Sequence, residues 1–217
     1  MDVDGYTLWV AGGSLLLVAP QVSESECRNV LSTLRYVQML ADSLVESRFG
    51  EPRRWYRAYR NALGKRGWGV THSYQSVEVA GHRTLLAPLQ PLQLWLTHQH
   101  PEITTVLERC LDGLDPAQPG IEQLARSSLQ RLDAPLVGAR IVLELGLVRP
   151  GARLSLCSLA METRVAPGTD WLTAAVPGEA LRGDLHVQGV LVEPAPELLE
   201  TGRDAFARLV SGGDTFH

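Results

Sequence analysis

The chain has 217 residues, a formal net charge of −4, 45% hydrophobic and 20% charged residues, and three cysteines. That length supports a packed core without metal or disulfide staples. The composition excludes a disordered chain, and the acidic balance argues against a general nucleic-acid coat. Cys27, Cys110 and Cys157 are odd in number and far apart, so free thiols in a reducing compartment are expected rather than a disulfide framework.

The apolar run Leu8 to Ala19 follows Asp2 and Asp4, lacks a basic leader and is broken by Gly12-Gly13. It therefore reads as two strands, Tyr6–Ala11 and Ser14–Ala19, joined by a hairpin turn, and not as a signal peptide or bilayer span. Ser23-Glu24-Ser25-Glu26 has the spacing of a capping box. It opens a long amphipathic helix with Cys27, Val30, Leu31, Leu34, Val37, Ala41, Leu44 and Val45 on one stripe. Gly50-Glu51-Pro52 ends it and starts a second helix, since proline suits a first turn.

That second helix is the most unusual segment of the chain. Arg53, Arg54, Arg57, Arg60, Lys65 and Arg66 against Glu51 give residues 51–68 a charge of +5, leaving −9 on the remainder. On a helical wheel Trp55, Tyr56, Tyr59, Ala62 and Leu63 share one face and the arginines the other. Every basic residue except Lys65 is arginine, which favours bidentate contacts with carboxylate or phosphate.

Val70–Val79 reads as a strand, and Leu85–Leu96, interrupted by Pro88 and Pro91, fits neither period. Two helices follow, with Ile103, Val106, Leu107, Cys110, Leu111 and Leu114 on one and Ile121, Leu124, Ala125, Ser128, Leu129 and Leu132 on the next. From Gly138 the period becomes two. Ile141, Leu143, Leu145 and Leu147 alternate along a strand that turns at Arg149-Pro150-Gly151-Ala152 and returns over Leu154–Thr163. Pairing Val148 with Arg153 would set Leu154 and Leu156 on the same apolar face and Glu144 opposite Cys157. Leu185–Val192 reads as another strand, and Pro196–Val210 as a closing helix.

Hairpins outnumber crossovers, so the expected fold is α+β: an antiparallel sheet covered on one face by amphipathic helices. The N-terminal hairpin is too short to stand alone and joins that sheet, which makes residues 1–217 one domain with a helical subregion 23–132 and a sheet subregion 138–217.

Catalytic motifs fail one by one. Gly64-Lys65 lacks the rest of a phosphate-binding loop, and no Gly-x-Ser-x-Gly or His-Glu-x-x-His occurs. His98 and His100 beside Glu102 are the best metal-ligand pair, without a third ligand, so no metal and no cofactor are expected. The leading expectation is a non-catalytic cytoplasmic protein that binds an acidic protein partner through Arg53, Arg54, Arg57, Arg60, Lys65, Arg66 and Trp68. Nucleic acid or an anionic membrane surface are the other anionic partners the patch fits. Two alternatives stand beside it: an enzyme with a cleft between sheet and helices that uses His72, His186 or Glu144, and a membrane-active protein that inserts its helical layer.

Overall fold

The computed structural model describes residues 2–78 and 85–195. The helix expected at Pro196–Val210 lies outside them. The class is α+β. An eight-stranded sheet runs in the order β1 (Asp2–Val3), β2 (Tyr6–Ala11), β3 (Ser14–Val18), β7 (Gly138–Arg149), β8 (Arg153–Thr163), β10 (Leu181–Pro194) and β4 (Trp68–Glu78). The eighth strand, β6 (Leu129–Leu132), pairs with β7 through Leu129 and Ile141 on the edge that β3 then takes up from Ser14 and Glu144. All pairs are antiparallel except β3 with β7, so the N-terminal hairpin does join the main sheet. Among the described residues β5 (Leu85–Leu86) pairs with β9 (Val176–Pro177) outside that sheet.

Helices cover both faces, which corrects the one-face expectation. α1 (Glu24–Leu44) and α2 (Pro52–Lys65) form the first layer; α3 (Leu89–Gln99), α4 (Thr104–Asp112) and α5 (Pro119–Ser128) form the second. The reason lies in the order of strands. β3 is followed in sequence by β4, the far edge of the sheet, so α1–α2 crosses one face on the way out. The chain then returns from β4 to β6 across the other face through α3–α5. Strands covered twice bury side chains of both parities: Leu143, Glu144, Leu145 and Leu147 of β7 are all buried.

Local signals place the first layer as read. Ser23 and Glu26 form the capping box reciprocally, and Pro52 occupies the first turn of α2. Further along, Leu129 and Leu132 leave the helical pattern and become β6.

The β7–β8 register is one residue off the expected one: Val148 pairs with Leu154, Arg149 with Arg153 and Glu144 with Ser158. The loop is Pro150-Gly151-Ala152, with Gly151 at φ 78° and Ala152 at φ 55°. A left-handed third residue is what closes a three-residue hairpin. Leu145 therefore pairs with Cys157, and Leu154 and Leu156 point to the opposite face from Leu145.

The sheet separates two cores. Leu15, Leu17, Ile141, Leu143, Leu145, Leu147, Cys157 and Leu159 pack under α3–α5. Leu16, Val18, Val142, Val148, Leu154, Leu156, Val190 and Val192 pack under α1–α2. All three cysteines are free and buried.

Candidate functional site

A polar row crosses the sheet beneath α1–α2. Ser14 of β3 pairs with Glu144 of β7, Glu144 with Ser158 of β8, Ser158 with Gln188 of β10, and Gln188 with Gln75 of β4. In-register neighbours point to the same face, so five polar residues line up on five strands. The row on the other face is Leu15, Leu145, Cys157, Gly189 and Tyr74. Gly189 is required there: a Cβ would run into the Trp95 ring of α3.

The inner half of the polar row is closed. The Glu144 carboxylate is 6% exposed and accepts from Ser14 Oγ at 2.6 Å, Tyr59 OH at 3.0 Å and Ser158 Oγ at 2.9 Å. Gln38 of α1 donates to Ser14 Oγ at 2.7 Å and to the Ala11 carbonyl at 3.1 Å, and accepts from the Gly13 N–H at 2.9 Å. Burial pushes Glu144 above the usual carboxylate range, more than the Ser14, Ser158 and Tyr59 hydroxyls pull it down. Burial and the neighbouring Glu144 charge likewise raise Tyr59. Above this cluster Trp55 Nε1 donates to Asp42 at 2.7 Å, Arg48 pairs with Asp42, and the Arg48 guanidinium lies 4.7 Å over the Trp55 ring. The adjoining cavity of about 10 Å³ has room for one water.

The outer half is open. A groove of about 420 Å³ runs between α2 and the β10–β4 edge, lined by Arg53, Tyr56, Arg57, Arg60, Asn61, Val70, Gln75 and Gln188. Arg53, Arg57 and Arg60 recur at helical spacing and share one stripe of α2. Tyr56 sits at the back, where its buried hydroxyl faces Ser158 without a hydrogen bond of good geometry. Arg28, Arg48, Arg54, Arg109, Arg126, Arg140 and Arg182 each lie within 4 Å of a carboxylate. Among the described residues the three groove arginines do not; Arg53 reaches only His186 Nδ1, at 3.4 Å.

The expected contact residues thus divide. Arg53, Arg57 and Arg60 come together in the groove, whereas Arg54 turns to Glu51 and Arg66 stacks 4.3 Å over the Tyr36 ring. Lys65 is exposed at the end of α2. Trp68 is 3% exposed in the core and so cannot be a contact residue. Sequence reading missed Gln75, Asn61 and Tyr56 as groove residues, because nothing local says that β4 ends up beside α2.

The residues weighed for catalysis do not converge. Glu144 faces Ser158 rather than Cys157, His186 lines a small cavity with Arg53, Tyr56 and Ser158, and His72 is exposed on β4. His98 is exposed while His100 is buried with Nε2 2.7 Å from Ser155 Oγ, so the two histidines part. His100 Nδ1 lies 3.5 Å from Glu102, but Ser155 is fully buried, which leaves a substrate no approach to that hydroxyl. Among the described residues no group of three metal-ligating side chains occurs, and no helix is long and apolar enough to cross a membrane.

No protein family matches the sequence, and no curated protein does. Solved structures that resemble the fold include the activated Cyt2Ba monomer from Bacillus thuringiensis subsp. israelensis, at a TM-score of 0.38 and 9% identity over 86% of this chain and 98% of that one. A delta-endotoxin is similar at a TM-score of 0.36 and 12% identity, over 89% of this chain and 83% of that one. The expectation of a non-catalytic cytosolic binder that grips an acidic protein partner is corrected on the placement of its contact residues: Trp68 is buried in the core, and Arg54 and Arg66 are engaged by Glu51 and the Tyr36 ring.

Proposed function

We propose that this is a membrane-active protein whose α1–α2 layer leaves the sheet at an anionic lipid surface. The observation that carries the reading is the two-sidedness of that layer. It is one unbroken stretch of chain between β3 and β4. Its exposed residues include Arg53, Arg54 and Arg57 of α2, at and beside the groove along the β10–β4 edge, and Met39 and Leu44 of α1, at 62% and 59%. Its inner side bears Trp55, Tyr56, Tyr59 and Leu63, all buried against the sheet. A helix with arginine on one face and aromatics on the other suits the interface of an anionic bilayer, where rings sit at headgroup depth and guanidinium groups meet phosphate.

The attachment of the layer supports the same reading. Tyr59 and Gln38 hold it to Glu144 and Ser14 through hydrogen bonds that water can replace, next to a carboxylate whose ionised form is disfavoured by burial. Lipid would offer the aromatic face an apolar environment to exchange for the sheet. The test is co-sedimentation and dye release with vesicles of phosphatidylglycerol and phosphatidylcholine against phosphatidylcholine alone. Binding and release that require the anionic lipid are expected. Folded protein that neither sediments with nor opens anionic vesicles between about pH 5 and 9 overturns the reading.

A further inference from the structure

We propose that the groove between α2 and the β10–β4 edge is a phosphate-binding site, selective for a phosphomonoester over a carboxylate. Its charge set is three guanidinium groups, Arg53, Arg57 and Arg60, with no carboxylate among the described residues of the lining. Its neutral donors are the amides of Asn61, Gln75 and Gln188, the last two being cross-strand partners that form the floor. A phosphomonoester carries about −1.5 to −2 at neutral pH and three acceptor oxygens, which matches three forked cations far better than one carboxylate does.

The contrast with the rest of the chain carries the argument. Among the described residues seven arginines find carboxylates and Arg35, Arg66, Arg131, Arg149, Arg153 and Arg164 stand without one, whereas Arg53, Arg57 and Arg60 are three unpaired cations brought together over a single open space of about 420 Å³. Like charges held together over a lining that shows no acid among the described residues make the space between them attractive to an anion. Helical spacing fixes the stripe, and the Trp55–Tyr59 stack, with centroids 5.3 Å apart, fixes the helix from below, so the cations are set before a ligand arrives. As a lipid headgroup site the groove rests on the membrane reading; as a phosphate site it is measured without lipid.

The first arm titrates the intact, lipid-free protein with inorganic phosphate and with glycerol 3-phosphate. Saturable binding is expected, weakened about a hundredfold in Arg57→Gln/Arg60→Gln and unchanged in Arg28→Gln, whose arginine pairs with Glu24 on α1. The melting temperature of each variant reports that it is folded. Wild-type protein that fails to bind either phosphate, or a double variant that binds as tightly as wild type, overturns the proposal. The second arm compares vesicles containing phosphatidic acid with vesicles of equal charge containing phosphatidylglycerol. Preference for the monoester lipid, competed by glycerol 3-phosphate, assigns the groove to a headgroup. Phosphate binding without any such preference assigns it to a free phosphate ester. Vesicle binding that survives Arg57→Gln/Arg60→Gln unchanged, with no phosphate bound in the first arm, removes the groove and leaves the membrane reading standing.

Discussion

Glu144 and Leu145 are consecutive on β7 and meet opposite helical layers. On the Leu145 side the sheet offers Leu15, Cys157 and a bare Gly189, and Trp95 of α3 closes down on the glycine. On the Glu144 side it offers two hydroxyls and two amides, and α1–α2 answers with Tyr59, Gln38 and three arginines. Across the middle of the sheet one layer is held by dry packing, while the other adds to its own apolar core a row of hydrogen bonds that water can replace. Dry packing fails only when the fold fails, whereas a hydrogen-bonded seam can open while the sheet and the other layer persist.

The largest expected effect comes from moving the charge one residue. Leu145→Asp puts a carboxylate among Leu15, Cys157 and their neighbours, with no donor at hand, and should cost about 4 kcal/mol or more. Urea denaturation checks it, and a cooperative variant of near-normal stability would mean that the dry face tolerates what the polar face was built for.

Next comes Glu144→Gln. Glu144 titrates higher in the folded protein than in the unfolded chain, so the folded state holds its proton more tightly. Stability on this account is therefore intact below the unfolded carboxylate value and declines as pH rises through the raised folded one. Glu144→Gln should remove that decline and be the more stable protein at the alkaline end. His100 works in the opposite direction on the other layer. Burial, with Arg149 next, holds it below its usual value, so its contribution is intact above about pH 6.5 and is lost as pH falls from there towards the lowered folded value. Melting curves across pH for Glu144→Gln and wild type test the pair, and parallel curves would break the comparison.

Tyr59→Phe ranks third. It deletes one of two donors to Glu144 Oε1, keeps the ring stacked on Trp55, and should cost about 1 kcal/mol. It should also raise Glu144 further, which carboxyl NMR can follow. A variant with unchanged stability and unchanged Glu144 titration would show that Tyr59 holds the layer by packing alone.

Charge reversal at the groove, Arg57→Glu/Arg60→Glu, should change stability least, by about 0–1 kcal/mol. Neither arginine has an ion pair among the described residues, and neither reaches the core. Binding to anionic vesicles should nevertheless fall steeply. Loss of several kcal/mol with vesicle binding intact would make these arginines structural.

The sequence made the layers legible one helix at a time. The capping box at Ser23, Pro52 at the start of α2 and the stripe from Cys27 to Val45 act within a few residues of chain, and they appear as read except at Leu44, which is exposed. The coverage of both faces could not be read, because it depends on β4 taking the far edge of the sheet, a long-range choice. The polar row was half visible: Glu144 stands out in the apolar run from Ile141 to Val148, and the arginines stand out on α2. Its alignment turns on the three-residue hairpin loop, where Gly151 and Ala152 are both left-handed and β8 is shifted by one position, which brings Ser158, not Cys157, to Glu144.

Amide hydrogen exchange in the presence of phosphatidylglycerol vesicles tests the central claim most directly. Exchange should rise across Glu24–Leu44 and Pro52–Lys65 while Leu89–Gln99, Thr104–Asp112 and the strands β7, β8 and β10 stay protected. Vesicle-bound protein in which both layers open together, or in which α1–α2 stays as protected as it is in solution, would contradict the account.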